Sequence, residues 1–249
     1  MPRLLVVGAG YLGASVARLA KAGGWAVVPV VRAESSAEVL RREFPEVRAA
    51  NAVDASFWSN LTEKFQGLVW SLSPSRTEEV SFRELHRTGA LRAATWGQQQ
   101  DVPMVYISST SVYAESTGGW VDERSAVAVE EERSSAMLEA ERVVLAAGET
   151  VLRCAGIYGP GRELRAGLEG PERWLNVVQV TDAARAVGLV LGKNRGIYNV
   201  CEDEPLKRGV PHGRWPEGRR ERRNKRVSNA KLKSLGWQPL WRAGLLDSV

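Results

Sequence analysis

The chain has 249 residues, of which 44% are hydrophobic and 25% charged, proportions that exclude a disordered or collagen-like protein. No apolar run approaches the roughly 18 to 20 residues that span a bilayer, and the opening MPRLLVVG has neither the apolar length nor the cleavage pattern of a secretory leader, so a soluble, cytoplasmic protein is expected, with no membrane partner. The net charge is +5, yet residues 207–226 alone carry nine basic and two acidic side chains, so the basicity belongs to one segment.

In chain order, residues 4–7 form a short continuous apolar run, as expected of a strand covered on both faces. Leu12, Val16, Leu19 and Ala20 then recur at helical spacing, and Gly23-Gly24 closes the helix. Residues 25–31 read as a second strand, although Pro29 cannot donate to a ladder and argues against a central position. Further strands are expected at 68–72, 104–107, 151–154 and 197–201. Before the strand at 151, Met137, Ala140, Val144 and Ala147 share a helical face, with Gly148 placed as its C-terminal cap. Strands alternating with helices predict an α/β fold with a doubly wound parallel sheet. Cys154 and Cys201 lie in apolar stretches, and two histidines offer no zinc spacing, so both cysteines read as buried free thiols.

Between the first strand and the first helix stands Gly8-Ala9-Gly10-Tyr11-Leu12-Gly13, a GxGxxG in the strand–loop–helix context that gives this pattern meaning. Gly8 allows the tight turn, Gly10 lets backbone approach a pyrophosphate, and Gly13 lets the helix pack on the strand; Tyr11 and Leu12 open the helix whose N-terminus attracts the anion. Cofactor type is set where the second strand ends, because an acid there accepts from the ribose of NAD and an arginine accommodates the 2′-phosphate of NADP. The sequence Val31-Arg32-Ala33-Glu34 favours NADP through Arg32, while Glu34 keeps NAD open.

The stretches GAGYLG at the start, YISSTSVY at 106–113, GIYGPGR at 156–162, NVVQVTDAARA at 176–186, GIYNVCEDEP at 196–205 and KRVSNAKLKSLGW at 225–237 resemble, in the same order, the extended short-chain dehydrogenase/reductase group, also called the NAD-dependent epimerase/dehydratase family. The resemblance implies a Rossmann domain over 1–156 and 176–201 and a small C-terminal substrate lobe over 157–175 and 202–249. It places Asn51 and Ala52 against the adenine. Ser71, Leu72 and Ser73, with Ser108, line the dinucleotide, Ser109 holds the reacting oxygen of the substrate, and Tyr158 and Arg162 sit where the substrate pocket begins. Asp54 falls on a further acidic position of the family but suits a helix N-cap better.

Two departures accompany it. The family's catalytic tyrosine, and the lysine four residues on, correspond here to Arg133 and Met137, and no Tyr-x-x-x-Lys occurs anywhere in the chain. The substrate lobe is also reduced, since only 206–226 separates the last two matching stretches, which leaves a more open pocket or one completed by a second copy. Three readings follow. The first is a divergent oxidoreductase or epimerase/dehydratase acting on a small carbonyl or sugar-nucleotide-like substrate, with Ser109 orienting it and Tyr113 or Tyr158 as substitute proton relay. The second is a non-catalytic NADP-binding sensor or structural protein. Nucleic-acid binding through RWPEGRRERRNKR at 214–226 is the third, and a solvated loop explains that segment better because it offers no recognition helix and only Trp215 for stacking.

Overall fold

The computed structural model describes residues 1–73, 82–164, 173–208 and 223–243. Seven strands make the central sheet: β1 Arg3–Val7, β2 Ala26–Val31, β3 Arg48–Ala49, β4 Gly67–Trp70, β5 Met104–Ser109, β6 Thr150–Cys154 and β7 Gly196–Val200. They lie in the order β7-β6-β5-β4-β1-β2-β3, and every neighbouring pair is parallel. This is the expected doubly wound Rossmann sheet, its strand order reversing between β1 and β4.

Helices cover both faces. On one lie α1 Tyr11–Ala22, α2 Glu34–Arg41 and α6 Val180–Val190; on the other lie α3 Ala55–Ser59, α4 at 82–100 and α5 Glu132–Ala146. Helix α4 opens at Phe82–Glu84, passes through a π-turn at Leu85–Gly89 and continues as Ala90–Gln100. Because successive strand residues face opposite ways, Leu4 and Val6 join the first core and Leu5 and Val7 the second. Gly148, in the left-handed region at φ 80°, ends α5 as anticipated.

One local expectation needs revision, and one is explained. Leu19 is 38% exposed, and α1 instead meets α6 through small residues, Ala14 and Ala17 joining Ala183, Ala184 and Val187 in one cluster. Pro29 does sit within β2, and hydrogen bonding shows why it is tolerated. Ala26 N donates to Pro2 O, and Val30 O accepts from Gly8 and Ala9 N, so the even-numbered residues of β2 address β1. Pro29 turns its missing donor to the other side, where β3 pairs only with Val30 and Val31.

Outside the sheet, Gly156–Tyr158 pairs with Val177–Gln179, Arg173–Leu175 with Leu206–Arg208, and Trp120–Val121 with Arg226–Val227. A third apolar cluster gathers Tyr158, Val177 and Ala243. The last described residues are held by carboxylates. Asp182, fully buried in the first turn of α6, accepts from Leu240 N and Trp241 N at 2.8 and 3.0 Å, and Glu202 accepts from Ala243 N at 2.7 Å. Both cysteines are free and buried. Among the described residues no helix is long and apolar enough to cross a membrane.

Candidate functional site

A cleft of about 760 Å³ runs along the C-terminal ends of the strands, over the point where strand order reverses, the usual ligand position in open α/β sheets. Gly8, Ala9, Gly10, Tyr11 and Leu12 form its floor. Each glycine of the loop has a distinct steric job. Gly8 is at φ 89°, and a Cβ there would lie 2.6 Å from Leu72 N, so the loop hugs the end of β4. A Cβ on Gly13 would lie 2.2 Å from Gly8 O, which welds α1 to the loop. Gly13 thus packs the helix as expected, beneath the cleft, and does not line it. Above Gly10, the N-cap of α1, a Cβ would meet nothing within 4 Å. The unpaired N–H groups of the first helical turn therefore open onto free space.

At the end of β2, Arg32, Ala33 and Ser36 line the cleft. Glu34 does not, and it pairs with Arg41 on the same helix. Beyond them Asn51 and Ala52 line one wall. Asn51 donates from Nδ2 to Asp54 at 3.1 Å and accepts from Val53 N at 3.2 Å. Asp54 is the residue capping α3, but its carboxylate takes the Asn51 side chain and makes no side-chain cap bond. Ser71, Leu72 and Ser73 complete the middle of the cleft.

At the other end stand Ser108 and Ser109 from β5. The Ser108 hydroxyl donates to Glu141 of α5, which in turn holds Arg153 of β6 by bonds of 2.6 to 3.2 Å. Both partners of this ion pair are about 96% buried, and Arg153 Nη1 finds no partner. Ser109 caps the short turn that follows β5, its Oγ accepting from Ser111 N at 3.1 Å.

Tyr113 and Tyr158, the two expected proton relays, are withdrawn from the cleft. Tyr113 is fully buried, lies 4.9 Å beneath the Arg153 guanidinium and donates to Asn199 at 2.7 Å; burial pushes its hydroxyl up to about 12. Tyr158 donates to Glu202 at 2.6 Å, and burial together with that carboxylate raises its pKa further still. Neither lines the cleft. Both are framework tyrosines whose hydroxyls tie β-strand ends to the C-terminal part of the chain.

Arg133 and Met137 of α5 do line the cleft, as does Arg162. The Arg133 guanidinium lies 5.3 Å over the Phe82 ring and that of Arg162 5.6 Å over Tyr11. Tyr11 Oη is buried without a hydrogen-bond partner, and burial raises its pKa, so it stays a protonated donor at neutral pH.

His86 was not anticipated. Carried by the π-turn of α4, it lines the cleft while 96% buried, with Nδ1 2.7 Å from Tyr106 Oη and its ring centroid 4.2 Å from that of Phe82. Burial pushes it down to about 4, so the imidazole is neutral near pH 7. Within the same turn Gly89 rides on Trp70, whose ring would be 2.5 Å from any added Cβ.

Most of the basic segment at 214–226 lies outside the described residues, but two of its arginines point into the fold. Arg223 donates to Tyr113 O at 2.8 Å and pairs with Glu131, and Arg226 sits over the Trp120 and Trp174 rings at 5.2 and 5.3 Å.

No protein-family model matches the sequence, and no curated protein matches it significantly. Solved structures do. A UDP-glucose 4-epimerase from Thermotoga maritima, seen with UDP-glucose, superposes with a TM-score of 0.80 at 18% identity, covering 96% of this chain and 94% of that one. A dTDP-glucose 4,6-dehydratase from Bacillus anthracis in complex with NAD gives 0.78 at 16%, covering 97% and 92%. A conserved protein of unknown function from Silicibacter pomeroyi gives 0.72 at 25%, covering 97% and 94%. At these identities the likeness is one of fold.

Proposed function

We propose that the cleft binds a nicotinamide dinucleotide, NADP in preference to NAD, and that the protein is a divergent member of the extended short-chain dehydrogenase/reductase family acting on a small carbonyl compound. The observation that carries this reading is the open space above Gly10, bounded by the unpaired N–H groups of α1 and continuous with a groove that ends at Arg32. A pyrophosphate there would satisfy those donors and meet the positive end of the helix dipole. The preference for NADP is supported by Arg32 lining the groove while Glu34 is turned to Arg41. The neighbours seen with NAD and UDP-glucose agree in fold with this assignment.

The dinucleotide, when bound, supplies or accepts hydride. The chain's own residues then position and polarise. Ser109 accepts from Ser111 N and keeps its O–H for the reacting oxygen of the substrate. The Glu141–Arg153 pair fixes Ser108 next to it. Two structural facts favour a second reading, a dinucleotide-binding protein without turnover: the cleft presents Arg133 and Met137 where the family resemblance puts tyrosine and lysine, and Tyr113 and Tyr158 are buried elsewhere. Exchange of the nicotinamide hydrogen with a carbonyl panel separates the two.

Fluorescence titration with NADPH and NADH tests the binding site itself. Gly10→Val adds a side chain where the fold has room, so the variant should keep the stability of the wild type and lose dinucleotide binding. Undiminished binding in a folded Gly10→Val protein would overturn the assignment.

A further inference from the structure

Among the described residues, the charged side chains lining the cleft are all arginines, Arg32, Arg133 and Arg162, with no aspartate or glutamate beside them. Arg32 stands at the end of β2, with Ala33 and Ser36, whereas Arg133 and Arg162 accompany Ser109, Met137 and Ile157 at the opposite end. We infer that this second end is built for a substrate carrying its own anionic group, a carboxylate or phosphate next to the reacting carbonyl, which Arg133 and Arg162 grip from two sides. The inference rests on the dinucleotide reading and adds the chemical class of the substrate.

Two features support it. Many arginines of the described chain, including Arg3, Arg18, Arg41, Arg48, Arg87, Arg153, Arg185 and Arg223, are paired with a carboxylate. Among the described residues Arg133 and Arg162 have no such partner, so no described carboxylate neutralises the charge they bring to the cleft. Each is also braced over an aromatic ring that itself lines the cleft, Phe82 for Arg133 and Tyr11 for Arg162. Cation–π contact of this kind restricts a long side chain without neutralising it. A neutral carbonyl compound offers nothing that would compensate two arginines lining the same cleft, and planar guanidinium forks match carboxylate and phosphate geometry.

The test uses the full-length protein saturated with NADPH and calorimetric titration of three probes at constant ionic strength: oxalate, inorganic phosphate and the neutral amide oxamide. The inference expects oxalate or phosphate to bind and oxamide not to. Arg133→Gln and Arg162→Gln should each weaken the bound anion by about tenfold or more, the scale of a lost charge-assisted hydrogen bond, while NADPH affinity changes less than about threefold, a margin well below one such bond. Tighter oxalate binding assigns a carboxylate substrate, and tighter phosphate binding a phosphorylated one. Anion binding that neither variant moves, or oxamide binding as tight as oxalate, overturns the inference while leaving the dinucleotide reading intact. Failure of the wild type to bind NADPH would remove both. Both arginines are exposed, so the substitutions leave the fold unstrained and NADPH binding reports that directly.

Discussion

Replacing His86 by asparagine turns the burial of one imidazole into a measurable pH dependence. In the folded protein the ring is held near 4 by burial alone, whereas in the unfolded chain it titrates near its ordinary value of about 6.5. Between those values only the unfolded chain takes up the proton, so each pH unit of descent costs the folded state about 1.4 kcal/mol, and the whole window about 3 kcal/mol. The contribution is complete above the unfolded pKa and is lost as the pH falls toward 4. His86→Asn also disturbs the bond to Tyr106 Oη and the contact with Phe82, but those losses do not vary with pH. The informative quantity is therefore the difference in unfolding free energy between wild type and variant, measured by urea denaturation with tryptophan fluorescence from pH 8 to 4.5. Every other titrating group enters both curves and cancels. The wild-type advantage should be constant above about pH 7 and should shrink by 2 to 3 kcal/mol, roughly one unit of 1.4 per pH step, on the way down. Parallel curves would show that the folded imidazole protonates freely, and would refute the dry, neutral histidine described above.

Gly13→Ala forces a methyl group to 2.2 Å from Gly8 O and should cost at least about 2 kcal/mol; a variant as stable as the wild type in denaturant would show that α1 is free to shift on its loop. Glu141→Gln leaves the buried Arg153 charge unpaired, and a loss of about 3 to 5 kcal/mol is expected on thermal or chemical unfolding, whereas a loss under about 1 kcal/mol would mean that water reaches the guanidinium. Arg32→Ala should weaken NADPH by about tenfold or more and NADH little, because only the former presents a phosphate for a charge-assisted bond. Equal weakening of both would point to packing.

The sheet was readable because its strands are continuous apolar runs separated by helix-length segments, a pattern that depends on local periodicity alone. Even so, β3 escaped notice: a two-residue strand, Arg48–Ala49, has no periodicity to detect. The glycine-loop end of the cleft was equally legible, since the loop glycines and Arg32 are tied to strand ends by short spacings. The Ser109 end was not. Tyr113 and Tyr158 follow strands just as cleft residues do, and only the positions of Asn199 and Glu202, 86 and 44 residues away, show that their hydroxyls are consumed by the framework. His86 lies in a π-turn, and a π-turn shifts which residues face the sheet without changing composition, so its approach to Tyr106 leaves no trace in spacing. The one available signal was its rarity as one of two histidines in the chain.

The buried carboxylates Asp182 and Glu202 make the seating of α6 depend on a distant stretch of chain. Their acceptors are filled by backbone amides 58, 59 and 41 residues further on. Arg185, three residues on in the same helix, pairs with Asp182 Oδ1, but Oδ2 is met by the Leu240 and Trp241 amides, so seating α6 in its dry position without them would leave a buried carboxylate oxygen unsatisfied, at a cost of about 1 to 3 kcal/mol. Full docking of α6 onto α1 therefore includes residues 240–243. Residues 240–243 act as a latch on α6, and the glycine loop that opens α1 takes part of its support, through α6, from a stretch far along the chain.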